Sequence, residues 1–248
     1  MNRNNDSRSY ALPAADLLEQ QARWLAPARA RLLRQVAVAR RRRVLDLGAG
    51  YGAVTAELTR RAGGLVIALD RAVAALRANG AGFFAGAGRV GGEAARLPFE
   101  TGAFDLVFTQ LTLLWTQPVE PVLDEVWRVL APGGALVALE PDYGGMIEHP
   151  PEIAARDLWC AALARVGADP LIGRRLPGLL AARGFAVSVA LFDTLAEPAL
   201  TRFDFLRDLP LTDEEAAALQ RVEQIARQSG NQGRQVAHLP FFLITAIR

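Results

Sequence analysis

The 248-residue sequence contains no lysine; all 28 of its basic side chains are arginine. Cysteine is nearly absent, with Cys160 alone, and histidine occurs only at His149 and His238. Each shortage removes a chemistry. Without lysine there is no Schiff-base nucleophile and no phosphate-gripping P-loop lysine. A single cysteine forms no intrachain disulfide, no CxxC redox pair and no cysteine-rich zinc site, so the chain reads as cytoplasmic and no metal site is expected. Long apolar runs are missing too. The longest stretch without a charge, Leu106 to Val119, has 14 residues, too few to span a bilayer. The first ten residues are polar and include an acid, which reads as a loose tail rather than a signal peptide. A net charge of +2 is too small to mark a nucleic-acid binder.

What is present is largely apolar. Hydrophobic residues make up 51% of the chain, enough for one α/β domain with its own core. From Ala11 to Arg43 the spacing is helical. Leu18, Leu25 and Leu32 recur every seven residues, flanked by Leu17, Trp24, Ala28 and Val36. Pro27 divides this stretch into two helices. We read residues 1–39 as a tail and helical cap, and 40–248 as the main domain. There the period changes. Arg43–Leu47, Leu65–Leu69, Phe104–Thr109 and Ala135–Leu139 are short apolar runs of the kind found in buried parallel strands. Helical patterns lie between them at Val73–Ala78 and Pro121–Leu130, the second stopped by Pro132-Gly133-Gly134. This alternation predicts a doubly wound α/β sheet with helices on both faces.

The last hundred residues follow another plan. Arg156–Val166 and Leu176–Arg183 are predicted helices, and Gly184 ends the second. Phe185–Phe192 and His238–Ile247 are predicted strands, forming a hairpin on the sheet edge. Between them stand helices at Phe203–Leu209 and Asp213–Gln228. Thr212 and Glu215 fit a capping box, Leu219, Val222 and Ile225 an apolar stripe, and Gly230 a stop. These segments predict lid insertions at about 143–183 and 197–230.

The sharpest local pattern is Val44-Leu45-Asp46-Leu47-Gly48-Ala49-Gly50-Tyr51-Gly52, ahead of a helical AVTAELTRR. A strand ends, glycines turn the backbone tightly, and a helix N-terminus offers free N–H groups to a ligand. Alone, the loop also fits a dinucleotide site. Gly48, Gly50 and Ala53 match the relaxed fingerprint, and Asp70 lies near the interval of a ribose-binding acid. The neighbouring blocks separate the two readings. VLDLGAGYG, Asp70 ending the second strand, GGEAARLPFETGAFDLVF and EVWRVLAPGGALVALEP occur in that order over Arg43–Asp142. Together they resemble class I S-adenosylmethionine-dependent methyltransferases of the small-molecule type (the type 11 and quinone-biosynthesis-like group). Nicotinamide enzymes do not carry that succession.

The resemblance implies a Rossmann-like, seven-stranded α/β sheet, mostly parallel with an antiparallel last strand, and S-adenosyl-L-methionine as cofactor. It implies that Asp46 orients the loop and reaches the cofactor's amino group. Gly48, Ala49 and Gly50 would run beneath its methionine and ribose, and Asp70 would accept both ribose hydroxyls. Arg71 would flank the adenine. Glu93-Ala94, where the family usually has Asp-Ala, would take the adenine amino group, and the backbone of Gln110 would meet the amino-acid end. The residues leave plainer options open. Asp46 could serve only the turn that follows it, and Asp70 could be a solvated strand end.

The acceptor is expected where the fourth and fifth strands end. Thr112, Leu113, Leu114 and Trp115 follow one, and Glu140-Pro141-Asp142-Tyr143 the other. Trp115 is either a pocket wall or core, Tyr143 a stacking or orienting group, and Asp142 a pocket residue or a cap before Gly144. His149 is a candidate base, or a surface residue beside two prolines. Cys160 and His238 read as structural, Arg40–Arg43 as a solvated junction, and Arg174 and Arg175 as surface-paired. The expected activity is methyl transfer to a small apolar or aromatic acceptor, with neither a nucleic-acid partner nor a membrane span. The alternatives are a cofactor-binding protein without turnover and an NAD(P)-dependent oxidoreductase.

Overall fold

Helix and strand follow one another because the hydrophobic period keeps switching along the chain. A computed structural model describes residues 12–78, 82–193, 200–228 and 235–248. Helices α1 (Ala15–Trp24) and α2 (Ala26–Gln35) come first. Pro27 stands in the first turn of α2, where its missing N–H is no loss. Strands β1 (Arg43–Leu47), β2 (Leu65–Asp70), β3 (Gly88–Gly91), β4 (Phe104–Gln110) and β5 (Leu130–Pro141) then alternate with α3 (Thr55–Arg61), α4 (Val73–Arg77) and α5 (Glu120–Val129). Beyond them lie β6 (Ile147–His149), α6 (Arg156–Arg165), α7 (Ile172–Ala181), β7 (Ala186–Leu191), α8 (Asp204–Arg207), α9 (Asp213–Gln228), β8 (Val236–His238) and β9 (Phe241–Ile247).

The main sheet has seven strands in the order β3-β2-β1-β4-β5-β9-β7. β9 runs antiparallel to both neighbours, and the other six share one direction. Alternation along each strand feeds two cores. Val44, Leu106, Phe108 and Val137 pack under α2 and α3 through Leu25, Leu32, Leu33 and Leu58. Leu45, Val107, Leu136 and Ile244 face Val122, Val126, Leu163 and Leu176 on the other side. Cover on both faces explains why the central strands are continuously apolar.

Several elements differ from the sequence reading. The apolar pattern does not locate β3, although a fourth strand at Phe104–Thr109 implies a third, since Gly88-Arg89-Val90-Gly91 offers a single apolar side chain. Its glycines are there for closeness: a Cβ on Gly88 would meet Ile67 at 2.6 Å, and one on Gly91 would meet Val73 at 2.7 Å. Pro132-Gly133-Gly134 ends α5 as predicted but lies within β5, where the pairing jumps from Phe104–Leu130 to Leu106–Ala135. α7 begins at Ile172 and carries Pro177 inside it. His238 does not begin the last strand. It closes β8, which pairs with β6 in a separate ribbon, and Leu239-Pro240 separates it from β9. The capping box forms as expected: Thr212 N–H donates to Glu215 Oε2 at 2.8 Å, and Glu215 N–H to Thr212 Oγ1 at 3.2 Å. Gly230 and the first ten residues lie outside the described residues.

Candidate functional site

The strand order reverses between β1 and β4, and a crevice opens at the carboxyl ends of such neighbours. A cavity of about 1000 Å³ occupies it. Asp46, Gly48, Ala49, Gly50, Asp70, Arg71, Glu93, Ala94, Gln110, Trp115 and Tyr143 all line it. Asp142 and His149 do not. Asp142 is buried and pairs with Arg174 of α7 at 2.7 Å. His149 is exposed and opposite Val236 in the small ribbon, a strand position rather than the loop expected for it.

The glycine loop owes its shape to backbone conformations that side chains resist. Gly48 and Gly50 have φ of +78° and +53°, a region costly to residues with a Cβ. The N–H groups of Gly48 and Ala49 both donate to Leu69 O, at 2.9 and 3.1 Å, which ties the loop to β2. Asp70, ending β2, completes the tie. Its Oδ2 accepts the N–H of Gly50 and its Oδ1 that of Ala72, each at 2.8 Å. Each carboxylate oxygen keeps a second lone pair for a ligand. Asp46 is buried and accepts the Thr55 hydroxyl at 2.6 Å. Burial pushes its carboxyl up to about 6, against the pull of Thr55 and Arg29. It therefore serves the helix that follows and faces the cavity as well.

Arg29 was not singled out in the sequence. It is 3% exposed and joins three elements. It pairs with Glu57 of α3 at 2.6 Å, donates to Ala22 O of α1 at 2.9 Å and to Gln110 Oε1 at 3.0 Å. Because the guanidinium holds Oε1, the Gln110 amide is oriented by the protein. The signal was available: an arginine four residues after Leu25 lies on the apolar stripe, where a charge needs a partner. Arg29→Lys keeps the charge and loses the fork. It should cost roughly 1.5 kcal/mol, lowering Tm by about 3–6 °C in a thermal melt. An unchanged melt would mean that the network carries no net stability.

The far end of the cavity is aromatic. Tyr143 stacks on Trp159 at 4.8 Å, Trp159 on Phe205 at 5.7 Å, and Phe205 meets Trp115 edge-on at 6.0 Å. Trp115, Tyr143 and Phe205 line the cavity, with Arg165 beside them. Arg165 is paired with Glu215 at 2.7 Å. Phe205 and Arg165 come from α8 and α6, distant in sequence from the loop. The remaining arginines behave as expected: the Asp105 carboxylate accepts the backbone N–H groups of Arg42 and Arg43, and Arg175 pairs with Asp169. Cys160 is half-buried and burial pushes its thiol up, while burial pushes His238 down. Among the described residues there is no cluster of metal-ligating side chains, and no helix is long and apolar enough to cross a membrane.

Comparison with known proteins agrees with this geometry. Residues 45–138 match the model of a methyltransferase domain. Malonyl-[acyl-carrier protein] O-methyltransferase 1 of Coxiella burnetii is 37% identical over 95 residues, 38% of this chain and 32% of that protein. Demethylmenaquinone methyltransferase of Mycolicibacterium gilvum is 39% identical over 98 residues, 40% of this chain and 41% of that protein. The matched segment thus spans less than half the length of these relatives. In fold the likeness is wider. The YcgJ protein of Bacillus subtilis superposes with a TM-score of 0.63 at 18% identity, over 90% of this chain and 98% of that one. Residues 45–138 thus carry a methyltransferase domain, set in a seven-stranded sheet with the fold of solved methyltransferase structures.

Proposed function

We propose that the chain transfers a methyl group from S-adenosyl-L-methionine to a small, flat, apolar or aromatic acceptor. The observation that carries this reading is the division of one cavity into two ends. One end has Gly48, Gly50, Asp70 and Glu93; the other has Trp115, Tyr143 and Phe205. A volume of about 1000 Å³ is at the upper limit for one small ligand, and leaves room for cofactor and acceptor side by side.

The first end suits the cofactor. The glycine loop lines the cavity with backbone that no side chain covers at Gly48 and Gly50, and the Asp70 carboxylate, already held by two N–H groups, is aimed before a ribose arrives. Glu93 is exposed at the rim, within the cavity lining where the adenine amino group is expected. The Gln110 amide is held through its oxygen by Arg29, which leaves its nitrogen as a donor for the amino-acid end. When bound, the cofactor supplies a methyl on positively charged sulfur, the electrophile that this chain has no side chain to replace.

The aromatic end has a different task. Its walls exclude water and hold the acceptor atom about 3–3.5 Å from the methyl carbon. No histidine or cysteine stands among the described residues that line the cavity. An acceptor that is already ionised at working pH needs no base, and this site favours one. Flat walls suit a ring such as that of demethylmenaquinone, the acceptor in one relative's name, better than the malonyl chain in the other's.

An acceptor panel of quinols, phenols and carboxylates, read by release of S-adenosylhomocysteine, tests the proposal. Turnover should appear with the flat acceptors, and Trp115→Ala should raise the acceptor KM about tenfold, equivalent to about 1.4 kcal/mol, with the affinity for S-adenosylhomocysteine unchanged. Binding without turnover across the panel would favour a non-catalytic protein. Thermal stabilisation by NAD(P) and none by S-adenosylmethionine would sink the reading altogether.

A further inference from the structure

Glu140, at the end of β5, has no role in the scheme above, yet it is fully buried. Its Oε1 accepts the N–H groups of Thr112 at 3.0 Å and Leu113 at 2.9 Å, and the N–H of Leu114 bears on the same carboxyl. Its Oε2 is buried with no partner. A carboxyl taken out of water with one oxygen unsatisfied is costly, so the segment it holds should repay the cost.

That segment is irregular. Leu111 has a φ of +55°, a conformation seldom adopted by leucine. A short 3-10 turn follows at Leu113–Trp115, and the first N–H groups of such a turn lack partners within it. Glu140 meets them from the neighbouring strand, as a cap would. Leu111, Thr112, Leu114 and Trp115 line the cavity, and Thr112 lies directly against Gly48. One carboxyl therefore underlies both the acceptor wall and a support of the glycine loop.

Resting on the reading of this cavity as a methyl-transfer site, we propose that Glu140 is a positioning residue. It clamps the 111–115 turn that carries Thr112 and Trp115 most tightly while its carboxyl is protonated; on losing the proton it lets that turn loosen. N–H bonds to a carboxylate are the stronger ones, but the charge is held out of water with one oxygen unpartnered, and a loosened turn hydrates it. Burial pushes the Glu140 carboxyl up to about 7, against the pull of the backbone N–H groups, so desolvation outweighs those bonds and the proton favours the closed turn: the clamp is tight below that pH and slackens above it. Among the described residues, no charged side chain acts on it. β4 brings Thr109 and Gln110, and β9 brings Phe242. α7 approaches through Gly173, with its Arg174 engaged by Asp142 and its Arg175 by Asp169.

Hydrogen exchange of the peptide spanning 110–116, measured on the whole protein from pH 5.5 to 8.5 and corrected for intrinsic rates, tests this. Protection of the Thr112–Leu114 amides should fall by ~5-fold between pH 6 and 8, with its midpoint near 7. Glu140→Gln, which stays neutral and keeps an acceptor oxygen, should show no midpoint. With a working acceptor, kcat/KM should carry a basic limb at the same pH, absent in the variant. A wild-type protein without a midpoint between pH 6 and 8 overturns the proposal, even where the variant fails to fold; so does a variant that keeps the wild-type pH dependence. Titration of S-adenosylhomocysteine at pH 6 separates the two ideas. A protein with the midpoint that binds none of it loses the methyl-transfer reading and keeps the clamp, and one that binds it without the midpoint does the reverse.

Discussion

Replacing Asp70 by alanine is expected to weaken binding of S-adenosylhomocysteine by two to three orders of magnitude, about 3–4 kcal/mol. Two contributions add. The ribose loses two charge-assisted hydrogen bonds. The loop loses the anchor between the N–H groups of Gly50 and Ala72, both 2.8 Å from the carboxylate. Asp70→Asn separates them, because the amide keeps one acceptor oxygen and the side-chain shape. It should lie between alanine and wild type. Calorimetric titration of the three proteins measures the series. An alanine variant that binds within threefold of wild type would show that the ribose is held elsewhere.

The second large effect is steric. A Cβ added to Gly48 would lie 2.8 Å from the Cβ of Thr112 and closer still to its Oγ1 and Cγ2. The residue would also be held at a φ of +78°. Left-handed strain of roughly 1–2 kcal/mol and an overpacking cost of roughly 1–3 kcal/mol act together. Gly48→Ala should therefore lose about 3 kcal/mol, visible as a fall of about 6–12 °C in Tm. Adding Thr112→Ala relieves the overlap but not the strain, so the double variant should recover only part of the loss. A single variant that melts with wild type would mean that loop and turn separate easily, and the close packing of Thr112 on Gly48 would lose its importance.

What could be read along the chain was local. The switch of hydrophobic period located β1, β2, β4, β5 and most helices, because one face of each must reach a core. The glycines before α3 announced a tight turn, and Thr212 with Glu215 announced a helix start that forms as described. The fold and the glycine-and-carboxylate end of the cavity were legible for that reason. β3 escaped because it is held by backbone pairing and glycine closeness, not by an apolar pattern.

The acceptor end was legible only in part. Trp115 and Tyr143 follow directly from the strand ends, but Phe205 and Arg165 arrive from α8 and α6. Their approach depends on how the helices after β5 pack. His149 and Asp142 show the opposite failure: both stand near the right strand end in sequence, yet one is drawn into the β6–β8 ribbon and the other toward Arg174.

The sequence by itself determined which chemistries are absent and where a nucleotide-like ligand meets the sheet. With no lysine, one cysteine and two histidines, a cofactor that brings its own electrophile is the economical solution, and the ordered motif blocks resemble those of methyltransferases that use S-adenosylmethionine. The tertiary structure alone decided how the buried charges are used. Arg29 reaches Gln110 across 81 residues, and Glu140 reaches the 112–114 amides across nearly thirty. A buried charge is tolerable only beside its partner, and no spacing along the chain reveals a partner that folding alone brings within 3 Å.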